Sequence, residues 1–160
     1  MRKIFLTVFY SGLSPKAPGT AGSLISLLIG ILLLQFISLA SLFYLSVLIT
    51  LIAIREIDVY EKEVKAHDSK EIVIDELVGV WLALIFCNIN KENMIPLAIL
   101  CFVYFRIFDI WKPSFIGTID EKVKGGLGVM GDDILAGIIA GIASLATYRI
   151  FLYLMQYFAH

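Results

Sequence analysis

The chain has 160 residues, 59% of them hydrophobic, and its 13 basic and 14 acidic side chains leave a formal charge of −1. Soluble domains are about 45–50% apolar, and a mean hydropathy of +0.89 means more apolar surface than one small core hides, so a membrane is the expected sink. The missing positive charge excludes nucleic acid as a main partner, because binding its phosphates needs a basic face, and the length suits one domain over residues 1–160.

Met1 to Tyr10 has a basic tip and a short apolar run, with no small-residue cleavage site after it. It reads as a short interfacial helix and not as a removable signal peptide. Ser11 to Ser23, SGLSPKAPGTAGS, holds two prolines and three glycines and is expected to be irregular. Two readings stand for it: a plain connector, or a phosphate-binding loop in which Ser11, Ser14, Lys16, Thr20 and Ser23 supply donors just ahead of a helix. Ser23 to Ile54 carries no charge at all. One helix over that stretch would run about 48 Å at 1.5 Å per residue, against a hydrocarbon core of about 30 Å. A helical hairpin breaking near Gln35–Ser41 fits better.

Arg55 to Glu71 turns polar and reads as the second arm continuing into water, with Glu61 and Lys65 a favourable i, i+4 pair. His67 lacks a spaced partner and is a weak metal signal. Then Asp75 and Glu76 stand between Ile74 and Leu77 at the mouth of a third apolar run. Two adjacent acids in apolar company are expensive without a cation or donors nearby, which favours a metal role over helix capping. The fourth run, Met94 to Phe105, has Pro96 in its first turn, where proline is tolerated. Arg106 and Asp109 then share a helix face, and Trp111, Lys112 and Pro113 close the helix at the interface. The last run is Ile134 to Phe158, interrupted by Arg149 near enough its end to snorkel. Cys87 and Cys101 lie inside apolar runs without metal or disulfide spacing and are expected to be packing residues.

The stretch from Phe105 to Gly137 gathers most of the chemistry. Asp109, Asp120, Asp132 and Asp133 are hard oxygen ligands of the kind Mg²⁺ takes, usually one or two at a time with room left for phosphate oxygens. Arg106, Lys112, Lys122, Lys124 and the glycine-rich turn at Gly125, Gly126 and Gly128 are phosphate partners. Asp132 and Asp133 are placed at a helix N-terminus, where capping competes with metal binding. If the apolar spans alternate from a cytoplasmic N-terminus, every basic residue except Lys91 and Arg149 falls on one side, as the positive-inside rule requires. The same topology brings Asp75, Glu76, Asp109, Asp132 and Asp133 to helix ends on that side.

In these blocks, SGLSPKAPGTAGS, EIVIDELVG, FRIFDIWKPSFIGTID and KGGLGVMGDDILAG, the chain resembles the phosphatidylglycerophosphatase A family of bacterial membrane lipid phosphatases. The blocks run in the family's order from Ser11 to about Gly141. Ser114–Phe115 depart from it after Trp-Lys-Pro, where the family usually has a proline. The resemblance implies an all-α, membrane-embedded bundle, here of about five apolar helices, some only partly spanning. It also implies Mg²⁺-dependent hydrolysis of phosphatidylglycerophosphate in the cytoplasmic membrane, giving phosphatidylglycerol and inorganic phosphate.

From residues and resemblance together, Asp75, Glu76, Asp109, Asp132 and Asp133 are expected to bind Mg²⁺. Asp75, Asp109, Lys112, Asp132 and Asp133 are expected to carry catalysis, with water preferred over a carboxylate as nucleophile. Ser11, Ser14, Lys16, Thr20, Ser23, Arg106, Lys112 and Gly126 are expected to hold phosphate. A CDP-alcohol phosphotransferase lacks its Asp-Gly start here. A small ion-coupled transporter subunit would place its acids near the bilayer midplane, and a structural subunit would leave the acidic loop without a use.

Overall fold

A computed structural model describes residues 1–64, 69–113 and 123–158. Among them are six α-helices and no strand: α1 (Arg2–Leu6), α2 (Pro18–Leu33), α3 (Leu39–Val64), α4 (Ile74–Phe86), α5 (Met94–Trp111) and α6 (Gly126–Phe158), with a 3₁₀ turn at Ser11–Leu13. The all-α expectation is met, and α2 to α6 are the five apolar helices. The uncharged stretch breaks between Leu33 and Leu39, overlapping the expected window, and Ser38 Oγ there accepts the Ser41 N–H at 3.1 Å.

The helices divide by length and exposure. α3, α5 and α6, of 26, 18 and 33 residues, are each long and apolar enough to cross a membrane. Their outer faces carry exposed Leu48, Leu51, Ile99, Val103, Ile110 and Ile150, an apolar surface that suits lipid and not water. α4 has only 13 residues, about 20 Å at the helical rise, and every residue from Glu76 to Leu84 is buried. It is the axis on which α2, α3, α5 and α6 all pack. Tryptophan at its centre is oriented by a hydrogen bond, Trp81 Nε1 donating to the Ser26 carbonyl of α2 at 2.9 Å.

The α4–α6 crossing is a close one, and it is built on glycine. A Cβ on Gly137 would strike the Gly79 carbonyl, and one on Gly79 would meet the Phe105 ring and the Asp133 carbonyl. Small residues at such a crossing let two backbones touch. Asp75 lies one turn before Gly79, and Asp133 one turn before Gly137, so this contact sets the two acids near each other.

Three local expectations are corrected. Thr20 to Ser23 do not precede a helix; they lie inside α2, because Pro18 takes its first turn, where proline's fixed φ is already helical. Asp132 and Asp133 are not first-turn residues, since α6 starts at Gly126. It starts that early because Asp58 of α3 accepts the Gly126 N–H at 2.7 Å, next to Gly125 at φ 77°. The N-terminal helix is shorter than Met1–Tyr10 and ends at Leu6. Lys65, His67, Ser114–Phe115, Asp120 and Lys122 fall outside the described residues.

Candidate active site

The site forms where four helix ends meet. Pro18 and Gly19 come from the start of α2, Asp75 and Glu76 from the first turn of α4, and Asp109 from the last turn of α5. Lys112 caps α5, and Asp132 and Asp133 sit in the second turn of α6. With Lys70, Ile72 and Val129 they line a cavity of about 180 Å³. Two helix N-termini open toward it, and the partial positive charge there favours anions.

Arg106 braces the carboxylates. Its Nη1 donates to Asp109 Oδ2 at 2.5 Å, to Ser23 Oγ at 3.3 Å and to Glu76 Oε1 at 3.4 Å, with both members of the Arg106–Glu76 pair largely buried. This is possible because α2 approaches closely at Gly19, where a Cβ would collide with Glu76 Oε1 and crowd Arg106. Lys112 Nζ donates to Asp132 Oδ2 at 2.8 Å. To do so Lys112 adopts a left-handed backbone, φ 41°, which costs a non-glycine residue about 1–2 kcal/mol. Backbone strain of this kind clusters at functional positions.

The cavity thus joins all five acids expected to bind metal, and Lys112. Arg106 stands behind them, and Ser23 supports Arg106 instead of facing phosphate, its Oγ donating to the Gly19 carbonyl at 2.8 Å. Ser14 and Lys16 lie in an adjoining cavity of about 320 Å³ that shares Pro18 and Lys70 with the first. Ser11 and Thr20 line neither of these two cavities; Ser11 Oγ donates to the Thr7 carbonyl at 3.1 Å, and Thr20 is exposed. Gly126 is also elsewhere, because its N–H is committed to Asp58. Lys70 is the cavity residue that the sequence reading left in a solvated face. Its place five residues before Asp75 was the available signal. Cys87 and Cys101 are buried and unbridged, as expected.

The phosphatidylglycerophosphatase A family profile matches residues 4–148. The chain belongs to that family. The phosphatidylglycerophosphatase A of Escherichia coli K12 is 40% identical over 84% of this chain and 76% of its own length. That of Haemophilus influenzae is 37% identical over 86% and 83%. A Bacteroides thetaiotaomicron protein, named as a candidate phosphatidylinositol-3-phosphatase, is 40% identical over 85% and 86%. No solved structure gives a significant match. The protein is therefore an enzyme of a lipid-phosphatase family, with apolar helices suited to a membrane.

Does this phosphatase's cavity suit a cation? Its five carboxylates face Lys70 and Lys112, with Arg106 behind, a net charge of about −2 when all are ionised. Asp132 and Asp133 are 4% and 3% exposed, and burying like charges together is costly without a counter-ion. Asp133 Oδ2 is buried with no hydrogen-bond partner among the described residues. Hard oxygens in an electronegative cavity fit a divalent cation. As the described side chains stand, no three converge to hold one ion together.

Proposed function

We propose that this enzyme hydrolyses phosphatidylglycerophosphate to phosphatidylglycerol and inorganic phosphate, with Mg²⁺ as cofactor. The observation that carries the reading is the five-acid, two-lysine cavity at the ends of α2, α4, α5 and α6. It has room for a phosphate group with water around it, and it lies at the ends of the apolar helices.

When bound, Mg²⁺ supplies Lewis-acid polarisation of phosphoryl oxygens. The residues do the rest. Lys70 at the rim draws in the terminal phosphate, and Lys112, held against Asp132, offsets charge developing on it. Arg106 keeps Glu76 and Asp109 in place. Asp133, with one unsatisfied oxygen, accepts a proton from the attacking water. The P–O bond to the glycerol breaks, the leaving oxygen takes up a proton, and the water oxygen departs within inorganic phosphate. The lipid's tails stay among the apolar helices throughout.

The site faces the cytoplasm of the inner membrane in this reading. Support comes from the ends of α3 and α5 and the starts of α4 and α6, which share one side with nearly all basic residues.

The test is phosphate release from phosphatidylglycerophosphate by the purified protein in detergent, with Mg²⁺ or with EDTA. Mg²⁺-dependent release with phosphatidylglycerol as co-product is the expected result. Release that persists in EDTA removes the metal from the reading. The identity to the Bacteroides protein favours one second reading, a phosphoinositide headgroup, so phosphatidylinositol 3-phosphate is the second substrate arm. Faster release from that lipid reassigns the headgroup.

A further inference from the structure

Beside the acid cavity lies a second one, of about 510 Å³ and lined by apolar side chains alone, well within the usual range for ligand pockets. We propose that it holds one acyl chain of the phospholipid substrate, with the N-terminal segment as its outer wall. The proposal rests on the lipid-phosphatase reading above.

Its place on α4 is the first argument. Ile74 and Leu77 line it, while Asp75 and Glu76 between them line the acid cavity. One helical turn thus presents acids to one side and hydrocarbon to the other. Trp81 continues the apolar wall one turn deeper, so it follows α4 for about 10 Å from Ile74. A molecule anionic at one end and apolar beyond it matches both cavities at once. A soluble phosphate ester would match only the first.

The second argument is how the outer wall is made. Ile4 and Phe5 line the cavity from α1, and Val8 and Phe9 from the turn that follows it. Arg2 and Lys3 turn the other way, Arg2 to Glu56 at 2.8 Å and Glu63 at 2.6 Å, and Lys3 to Glu71 at 3.2 Å. A five-residue helix does not stand alone in water. This one is held by those ion pairs and by the Leu6 carbonyl, which accepts the Val73 N–H at 3.0 Å, directly ahead of α4. The chain then makes three consecutive left-handed residues, Val8, Phe9 and Tyr10, at φ 42°, 55° and 67°. Non-glycine residues are strained in that region, and such strain persists where the surroundings over-determine it, ligand clamps among them. Here the turn drives Val8, 2% exposed, into the cavity wall. A helix that merely lay on the membrane would need no such turn.

The test compares chain lengths. Dioleoyl and dihexanoyl phosphatidylglycerophosphate are assayed with wild type, Ile49→Trp, which fills the cavity from α3, and Ile4→Trp, which fills it from the N-terminal wall. KM for the dioleoyl lipid should rise at least about tenfold in both variants, the scale on which apolar pockets discriminate shape. The short-chain substrate, which can use only part of the cavity, should lose clearly less than the dioleoyl lipid and keep turning over, which also shows the variants are folded. Equal effects on both chain lengths, or none on either, overturn the proposal. A second readout does not need turnover: a phosphatidylglycerol carrying a photoactivatable acyl chain should label Trp81 and the Ile4–Phe9 segment. Labelling confined to the lipid-facing sides of α3, α5 and α6 overturns the acyl site. Labelling in the cavity by a wild-type protein that releases no phosphate overturns the phosphatase reading and leaves the acyl site standing.

Discussion

The two sides of α4's first turns are built in opposite ways. On the acid side, backbones touch at Gly79 and Gly137, and Arg106 and Lys112 fix the carboxylates through short bonds. On the apolar side the wall is a five-residue helix held by ion pairs between half-exposed side chains and by a left-handed turn. Chemistry needs reacting groups in place to a fraction of an ångström, whereas hydrocarbon needs only a dry space of roughly the right shape. The molecule spends its rigid contacts where position decides the outcome.

If that contrast is right, damage should scale with the side it strikes. Asp133→Asn should have the largest effect, lowering turnover by about 100-fold or more, with helix content unchanged by circular dichroism. Near-normal phosphate release in that variant would break the comparison at its root. Gly137→Leu comes next. It wedges the crossing apart, and thermal unfolding should report about 1–3 kcal/mol of lost stability, with activity falling alongside. A variant as stable as wild type would mean the crossing is looser than it looks. Lys70→Ala removes a rim cation and should raise KM several-fold while leaving kcat within about twofold; the ionic-strength dependence of KM should flatten with it. On the apolar side, Tyr10→Gly should be nearly silent. It relieves a left-handed residue by about 1–2 kcal/mol and loses about 0.5–1 kcal/mol to added chain entropy. A slightly higher unfolding midpoint with unchanged short-chain turnover is the expected result, and a marked loss of activity would show that the turn serves the acid side too.

Much of this was readable in the amino-acid order. Long apolar runs mark α2 to α6, because a helix packed in lipid or inside the bundle must be largely apolar. The acids were readable because Asp75, Glu76, Asp132 and Asp133 are out of place beside Ile74 and Ile134. What stayed hidden depends on partners far along the chain. The true start of α6 is set by Asp58, 68 residues before Gly126, so local capping rules put Asp132 and Asp133 one turn too early in their helix. Lys70 looked solvated because its neighbours in sequence are polar, while its neighbours in space are the acids. The apolar cavity left no mark on the sequence, since Ile74, Leu77 and Trp81 read the same lining a cavity or filling a core.

The order of α4 and α6 along the chain has a consequence for synthesis. α4 emerges from the ribosome long before the helix that covers Gly79 and brings Asp132 and Asp133. Until α6 arrives, α4 has one bare side and the cavity lacks two of its five acids. The cavity is therefore incomplete until α6 is made, and α6 both seats the central helix and supplies the missing acids.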